Sequence, residues 1–327
     1  MRAILLQNPG ETSNRLDVVD VARPAPGAGE VLIEVAYGGC NFADTMMRDG
    51  TYPHPKGYPL VAGLEVSGRI AAVGDGVEDL APGDRVAAFC EDAGGFAELC
   101  LAPAMCCVPL PDAIGLDVGA ALPIQALTAW HLLHTVSTTR PGDVLLIHAI
   151  GGGVGLHLTQ LGVAAGARVI GTVGTRGKER RPLEYGAERV INREDEDFVA
   201  AVAAHAGPSG VDKVVDSTGA SILDRSFGLV RKLGHVVSYG EAEGRPLPNL
   251  WERLVERSLT FTRFHLGHSD FLSEQWAKGH RAVTEGVASG SHKVPIAEVF
   301  AFEEVARMYD TLRSRQVAGK LLLSVNP

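Results

Sequence analysis

Apolar residues are distributed along this chain in two different ways, and the change falls near residue 123. Before it they form short runs separated by glycine and proline, as in residues 31–37, 66–74 and 82–86. Runs of this length, bounded by turn residues, are typical of β-strands. We therefore predict that residues 1–122 are rich in β structure.

From residue 123 onward, apolar strands alternate with stretches of helical character. The strand patterns are residues 143–149, 168–173, 189–191, 212–216 and 234–240, and the helical ones include residues 154–165 and 178–185. This alternation indicates a parallel sheet covered by helices, and we assign it to residues 123–263. Residues 264–327 are less regular, with a predicted helix over 302–314 and a strand over 320–325.

Composition narrows the class of protein. The 327 residues are 46% hydrophobic and 21% charged, which suits about two globular domains. The net charge of -9 argues against a nucleic-acid or anionic-membrane partner. No stretch approaches the roughly 18 apolar residues that span a bilayer, and the apolar run after Met1 is too short for a signal peptide. The five cysteines do not suggest a disulfide framework, so we expect reduced thiols and a cytoplasmic location.

A glycine-rich loop, residues 151–155, lies between an apolar strand and a helix. A dinucleotide pyrophosphate binds backbone N–H groups at a helix N-terminus, where glycines permit close approach. The strict Gly-x-Gly-x-x-Gly pattern fails because Ile150 holds its first place, whereas Ala-x-x-Gly-x-x-Gly fits with Ala149, Gly152 and Gly155. A simple connecting turn would also use glycines, but the flanking strand and helix favour a dinucleotide site.

The end of the next strand indicates which dinucleotide is preferred. Enzymes that prefer NAD usually carry an acidic residue there, about 20 residues after the glycines. Residues 171–178 contain no carboxylate, but they do contain Thr175, Arg176 and Lys178. Cations and a hydroxyl attract the extra phosphate of NADP, so we predict NADPH. A solvated helix start with surface cations is the alternative interpretation.

The whole chain resembles the medium-chain dehydrogenase/reductase superfamily, and within it the zinc-free quinone oxidoreductase (zeta-crystallin-like) branch. The blocks that carry the resemblance occur in order and at family-like intervals. They are Asn41-x-x-Asp44, Gly63-x-Glu65-x-x-Gly68, Gly83-Asp84-Arg85-Val86, Gly95-Phe96-Ala97-Glu98, Leu127-Thr128-Ala129, His148-Ala149 with the glycine loop, Ser314-Arg315 and Gly319-Lys320.

This resemblance implies an α/β fold in which a Rossmann-type doubly wound parallel sheet is inserted in a GroES-like β-barrel catalytic domain. Residues 1–122 and 264–327 would form the catalytic domain and residues 123–263 the nucleotide-binding domain, with the active site in the cleft. Relatives are usually dimers, often paired through an edge strand of the Rossmann sheet. Residues 259–264 are the candidate edge here, so we expect a homodimer.

The resemblance also bears on zinc. The zinc-dependent alcohol dehydrogenases of the superfamily bind the metal through Cys and His side chains, which are donors that Zn²⁺ prefers. In this chain Asn41 stands at the position of the first Cys, and Leu64 stands at the position of the His. The closely spaced cysteines of the structural zinc lobe are also missing. We therefore predict no metal site.

Zinc-free chemistry of this kind implies hydride transfer from NADPH to an acceptor that is already electrophilic, such as a quinone or an α,β-unsaturated carbonyl. The candidate catalytic residues are Asn41, Asp44 and Tyr52. Asn41 would bond the acceptor carbonyl or the nicotinamide, and Asp44 would orient its surroundings. Tyr52 would donate a hydrogen bond to the reduced acceptor, although a packing role explains it equally well.

The predicted cofactor-binding residues come from the glycine loop, from the ends of the strands that follow and from the closing block. They are Thr128, Gly152, Gly153, Val154, Gly155, Thr175, Arg176, Lys178, Arg193, Gly240, Phe264 and Arg315. Arg193 departs from the resemblance, because the family often has tyrosine after Val-Ile-Asn. Its guanidinium would reach the adenosine phosphate or stack on adenine, unless it is a solvated surface side chain.

Three alternative functions stay open at this point. An enal or enone double-bond reductase differs from a quinone reductase by its acceptor and by no visible motif. A zinc alcohol dehydrogenase is disfavoured by Asn41 and Leu64. A low-turnover NADPH-binding protein, like the crystallins of the family, would not need Asp44 or Glu65.

Overall fold

The computed structural model describes residues 1–8, 16–52, 54–245 and 247–326. The chain divides into two compact units, of which the first comprises Met1–Leu127 with Asp270–Pro327 and the second comprises Thr128–Ser269. The predicted boundaries, after residues 122 and 263, both fall a few residues earlier. The first shift arises because Ile124 N donates a hydrogen bond to Glu65 Oε2 in the first unit (2.9 Å). The second arises because Phe264 N donates to the carbonyl oxygen of Ser238 in the parallel sheet (2.8 Å).

The regular elements of both units are numbered here in chain order. The strands are β1 (Arg2–Leu6), β2 (Leu16–Asp20), β3 (Glu30–Cys40), β4 (Leu60–Val61), β5 (Glu65–Val73), β6 (Arg85–Phe89), β7 (Leu99–Pro103), β8 (Cys107–Pro109), β9 (Val144–His148), β10 (Arg168–Val173), β11 (Arg189–Asn192), β12 (Val211–Asp216), β13 (Val230–Ser238), β14 (Thr260–Arg263), β15 (Ile296–Ala301) and β16 (Lys320–Ser324). The α-helices are α1 (Phe42–Arg48), α2 (Leu116–Gly119), α3 (Leu127–His131), α4 (Gly153–Ala164), α5 (Arg180–Glu184), α6 (Phe198–Ala206), α7 (Ala220–Ser226), α8 (Leu250–Val255), α9 (Glu274–Ala288) and α10 (Val305–Arg313).

The first unit is built on a seven-stranded sheet and a three-stranded sheet. The larger sheet runs β15-β16-β3-β5-β6-β8, with β7 also paired to β3, and the smaller one runs β2-β1-β4. Strand β3 pairs antiparallel with β5, β7 and β16, and its residues Val31, Ile33 and Val35 alternate into the buried core. The register of β16 on β3 places Leu321 opposite Cys40. Because the two strands are antiparallel, Lys320, which precedes Leu321, and Asn41, which follows Cys40, are also neighbours.

The second unit is a six-stranded sheet in the order β11-β10-β9-β12-β13-β14, and every pair in it is parallel. Strand β9 is buried along its whole length, as expected for a strand covered by helices on both faces. The chain passes from β9 to β10 on one side and returns to β12 on the other. Ligands of doubly wound sheets bind at such a switch point, beside the carboxyl ends of the strands.

Several element bounds differ from the predicted ones. The helix predicted over residues 178–185 is α5, which is shorter because a turn at residues 176–177 delays its start until Arg180. The helix predicted over 302–314 begins as a 3₁₀ turn, Phe302–Glu304, and becomes α10 only at Val305. Among the described residues, no helix has the length and apolar character that crossing a membrane requires.

Candidate active site

The glycine loop of the second unit connects β9 to α4, and Gly152 is the N-cap residue of that helix. A Cβ on Gly151 would lie 2.7 Å from the carbonyl oxygen of Lys178. A Cβ on Gly155 would lie 2.6 Å from the carbonyl oxygens of Ala149 and Ile150. Packing within the protein therefore requires glycine at both positions, independently of the space that a pyrophosphate needs.

Gly152 differs from these two glycines, because among the described residues its added Cβ would approach just Ala149 O, at 3.2 Å. No side chain of the described residues caps the N-terminus of α4, so its first N–H groups and the positive end of its dipole are left for an anion. The side chain of Ile150 is fully buried in the core of the second unit. The loop therefore fits a dinucleotide pyrophosphate.

Most predicted cofactor-binding residues lie at one edge of the parallel sheet, because parallel strands bring their carboxyl ends together. They follow successive strands: the glycine loop after β9, Thr175, Arg176 and Lys178 after β10, Arg193 after β11, Gly240 after β13 and Phe264 after β14. Thr128 is buried in α3 of the same unit. Arg315 belongs to the first unit, where it is exposed and has a φ of 61°.

The charge at this edge is less positive than the sequence predicts. Residues 171–178 contain no carboxylate, yet the guanidinium of Arg176 forms an ion pair with Asp195, from the loop after β11. Asp195 also accepts a hydrogen bond from Asn192 Nδ2 at 3.0 Å. Burial lowers the pKa of Lys178 to about 8. The prediction that both cations are available to a phosphate is therefore weakened for Arg176, whose guanidinium already has a carboxylate partner.

Arg193 is better placed than a surface arginine. It is half-buried, and its Nη1 donates a hydrogen bond to Thr172 Oγ1 at 2.7 Å. A Cβ on Gly174 would lie 2.6 Å from its Nη2, so the guanidinium rests against the backbone of that glycine. The alternative of a freely solvated side chain does not describe this arrangement.

The first unit holds a buried polar cluster of Asn41, Glu65 and Lys320. Asn41 Nδ2 donates to Glu65 Oε1 at 2.7 Å and to Gly39 O at 3.3 Å. The ammonium group of Lys320 donates to Asn41 Oδ1 at 2.9 Å and forms an ion pair with Glu65. Both amide hydrogens of Asn41 are thus engaged within the protein, so this side chain offers no free donor to an acceptor carbonyl.

Asp44 lies next to this cluster and is fully buried. Its Oδ2 accepts a hydrogen bond from Asn41 N at 2.7 Å, which caps the N-terminus of α1. Its Oδ1 has no hydrogen-bond partner among the described residues. Burial raises the pKa of this carboxyl to about 7, against the opposing effect of the cap and of Lys320. Asp44 therefore fixes the backbone that presents Asn41.

Tyr52 lies beyond α1 and is half-buried against the apolar core of the first unit. Its backbone N donates to Met46 O at 3.3 Å, which ties the segment to the end of α1. This placement is compatible with both predicted roles, packing and donation to an acceptor.

Sequence reasoning did not single out Lys320 as a member of the site. The lysine opens an otherwise apolar strand, Lys-Leu-Leu-Leu, and a cation in such a strand needs a buried partner. A lysine in an apolar strand could therefore have indicated a buried ion pair. Its partner, Glu65, is distant in sequence, however, and the pairing of β16 with β3 is needed to identify it.

The cluster does not fit zinc. The ammonium group of Lys320 is bonded to the residues at and beside the expected ligand positions, and a fixed cation there opposes a second one. Leu64, at the position of the His ligand, is packed in the apolar core. Burial raises the pKa of the Cys40 thiol well above its ordinary value, which disfavours the thiolate that zinc needs. Within the described ranges, no group of three His, Cys, Asp or Glu residues is arranged to hold a metal.

Comparison with known proteins agrees with this geometry. Residues 27–112 match the alcohol dehydrogenase GroES-like domain, and residues 153–298 match the family described as zinc-binding dehydrogenase. Quinone oxidoreductase of Salmonella typhimurium is 34% identical over 94% of this chain and 95% of its own length. The 2-haloacrylate reductase of a Burkholderia species is 32% identical over 99% and 98%, respectively. The structure of Escherichia coli quinone oxidoreductase complexed with NADPH superposes with a TM-score of 0.93, at 31% identity, and covers 99% of this chain and all of that one.

The fold and these matches define a medium-chain dehydrogenase/reductase. The chain belongs to the quinone oxidoreductase branch of that superfamily. The predicted family, the predicted α/β fold with a GroES-like domain and a Rossmann-type sheet, and the predicted enzyme class, an oxidoreductase, are confirmed.

Proposed function

We propose that this protein is a zinc-independent oxidoreductase that transfers a hydride from NADPH to a quinone or another acceptor with a conjugated carbonyl. The observation that carries the proposal is the bonding of Lys320 to Asn41 and Glu65 at the position where zinc enzymes bind their metal. The Escherichia coli relative, whose structure is a complex with NADPH, supports the choice of cofactor.

The dinucleotide supplies the hydride when it is bound. In this chain the first N–H groups of α4, with the open face of Gly152, would hold its pyrophosphate. Arg193 and Lys178 would hold the adenosine phosphate, and Thr175 would add a hydroxyl. Thr128, Gly240, Phe264 and Arg315 stay predicted contacts of the same cofactor.

On the acceptor side, the Lys320 ammonium group stands where zinc enzymes carry a metal that polarises an alcohol, which supports an acceptor that is itself electrophilic. Tyr52 donates a hydrogen bond to the oxygen that gains charge as the acceptor is reduced. Asn41, whose amide hydrogens are already bonded, forms a rigid buried polar cluster with Glu65 and Lys320. Asp44 fixes the position of this cluster through the cap of α1.

A second acceptor class is favoured by one specific observation. The Burkholderia relative at 32% identity is a 2-haloacrylate reductase, and its name describes reduction of an acrylate. Reduction of a carbon–carbon double bond conjugated to a carbonyl is therefore the alternative to quinone reduction on the same site.

The proposal includes a homodimer formed through the edge strand β14 of the parallel sheet. In the second unit, the side chains of Trp251 in α8 and Leu233 in β13 are 75% and 73% exposed, and Leu233 N donates to Arg257 O in the segment that joins α8 to β14. Exposed apolar side chains and an unpaired edge strand support pairing with a second copy. The five free, buried cysteines support a cytoplasmic location.

The proposed function is tested by a steady-state screen of the purified protein, with its zinc content measured on the same sample. The acceptors are a panel of quinones and α,β-unsaturated carbonyls, offered with NADPH. We expect NADPH oxidation with at least one of the two classes by protein that carries no stoichiometric zinc. Zinc-dependent alcohol oxidation, or no turnover across the panel, would contradict the proposal; the second result would favour a low-turnover NADPH-binding protein.

A further inference from the structure

We propose that Arg193 is held in place for the 2′-phosphate of NADPH by a buried hydrogen-bond chain of fixed direction. The chain runs from Arg193 through Thr172 and His148 to Ser226. Selectivity for NADPH over NADH would then depend on residues that never touch the cofactor. This inference rests on the proposed function, because it concerns how that function chooses its cofactor.

The chain of hydrogen bonds is continuous. Arg193 Nη1 donates to Thr172 Oγ1 at 2.7 Å, and Thr172 Oγ1 lies 2.8 Å from His148 Nδ1. His148 Nε2 lies 2.8 Å from Ser226 Oγ, which donates to Ile222 O at 2.7 Å. His148, Thr172 and Ser226 are all fully buried. These links join β10 and β9 of the sheet to the end of α7.

The direction of each bond follows from its neighbours. Ser226 gives its one hydrogen to Ile222 O, so its oxygen accepts from His148 Nε2–H. A neutral imidazole with hydrogen on Nε2 has Nδ1 as an acceptor, and Thr172 donates to it. The lone pairs of Thr172 Oγ1 are then left for Arg193, which can only donate.

The imidazole must be neutral for this arrangement, and its surroundings keep it so. Burial, together with the nearby Arg193 cation, lowers the pKa of His148 to about 3. The ring of Phe198 packs edge-on against the imidazole, with centroids 5.3 Å apart. His148 is therefore a fixed, uncharged acceptor behind Thr172 at neutral pH.

The strand register explains why these residues meet. Thr172 pairs with His148 between β10 and β9, and Val173 pairs with Asn192 between β10 and β11. Arg193 directly follows Asn192, which brings its side chain beside the end of β10. Gly174 leaves the space that the guanidinium needs, because an added Cβ would lie 2.6 Å from Nη2.

Arg176 provides a contrast on the same edge of the sheet. Its side chain is exposed and pairs with the Asp195 carboxylate, so it must leave that partner to bind a phosphate. Arg193 is already held by its hydrogen bond to Thr172 Oγ1, and a pre-ordered guanidinium loses less freedom when a phosphate binds. We therefore assign the larger share of phosphate selectivity to Arg193.

The test measures Kd for NADPH and for NADH with the full-length protein, using quenching of intrinsic tryptophan fluorescence. Thr172→Val removes the hydroxyl at nearly constant volume, and Thr172→Ser is the matched control that keeps it. Gly174→Ala displaces the guanidinium by a second route, and Arg193→Gln removes its charge. We expect Thr172→Val and Gly174→Ala to weaken NADPH binding about tenfold, as for loss of a hydrogen bond to a charged group. Binding of NADH should stay unchanged, and Thr172→Ser should bind NADPH like the wild type.

A double variant distinguishes the positioning of Arg193 by Thr172 from a general disruption of the cofactor site. If Thr172 acts through Arg193, Thr172→Val should have no further effect on NADPH binding in an Arg193→Gln background. Equal losses for NADPH and NADH in Thr172→Val, or additive losses in the double variant, would overturn the inference. So would an Arg193→Gln loss without any effect of Thr172→Val, although the proposed function would survive that result. A wild type that binds both dinucleotides equally would instead contradict the cofactor choice in the proposed function.

Discussion

The ammonium group of Lys320 and the carboxylate of Glu65 form an ion pair in the interior of the first unit, where the two side chains are 1% and 0% exposed. The pairing of β16 with β3 brings the lysine there, next to Asn41. Charges this deeply buried persist only when they are paired and hydrogen-bonded. The ion pair therefore fixes the orientation of the Asn41 amide and places an ammonium group where zinc enzymes of the superfamily carry a metal.

Replacing Lys320 with Met should destabilise the protein, because it leaves the Glu65 carboxylate buried without a partner. Breaking a buried pair in this way costs about 3–5 kcal/mol, which urea unfolding followed by circular dichroism would detect. The double variant Lys320→Met/Glu65→Gln should recover a large part of that loss, because no unpaired charge remains.

The pair Lys278 and Glu274 provides the matched control, because its ion pair lies on the exposed face of α9. Lys278→Met should change the free energy of unfolding by less than about 1 kcal/mol. A Lys320→Met variant no less stable than Lys278→Met would show that the buried pair does not hold the site together.

Replacing Asp44 with Asn should change how stability depends on pH. The pKa of Asp44 is about 7 in the folded protein and 3.8 ordinarily. Between these values the unfolded chain releases a proton that the folded one keeps, so the wild type loses stability as the pH rises, by up to about 1.4 kcal/mol per unit. Asn retains an oxygen for the cap of α1 but does not titrate.

The free energy of unfolding of Asp44→Asn, minus that of the wild type, should therefore rise from pH 4 to pH 7 and then level off. Denaturant titrations at several pH values measure it. A difference that is flat across this window would mean that Asp44 does not titrate there, and a difference that falls would reverse the sign of the proposed effect.

Replacing Tyr52 with Phe tests its proposed bond to the reduced acceptor. Loss of one hydrogen bond of about 1 kcal/mol should lower kcat/KM for the acceptor about fivefold. The Kd for NADPH should not change, because the bond is to the acceptor. Unchanged kcat and KM for the acceptor would leave Tyr52 as a packing residue of the first unit.

A new charge in the second unit should disrupt the proposed dimer. Trp251→Glu and Leu233→Glu each put a carboxylate at an exposed apolar position of the second unit, and sedimentation velocity should show a shift from dimer to monomer. Leu272→Glu is the matched control, because that leucine is 79% exposed in the first unit. A monomeric wild type, or dimers in all three variants, would argue against this interface.

Sequence patterns predicted the parallel sheet and the glycine loop well, because both depend on local features: strand periodicity and residues that fit a tight strand–helix turn. The sequence did not point to Asp195, because this residue follows β11, the third strand of the parallel sheet along the chain. The acidic residue that indicates a preference for NAD is expected after the second strand, β10. Lys320 could not be paired with Glu65 without the β16–β3 register. His148 belongs to a block that carries the family resemblance, but its hydrogen bonds to Thr172 and Ser226 are evident only in the structure.

Metal-free hydride transfer from NADPH is tested most directly by the ratio of kcat/KM for NADPH to that for NADH, measured during quinone reduction by protein treated with a strong zinc chelator. We predict continued turnover and a ratio of at least about ten, equivalent to about 1.4 kcal/mol. A ratio below that value would contradict the assignment of phosphate recognition to Arg193 and Lys178. Turnover that disappears with the chelator and returns with zinc would contradict the metal-free mechanism.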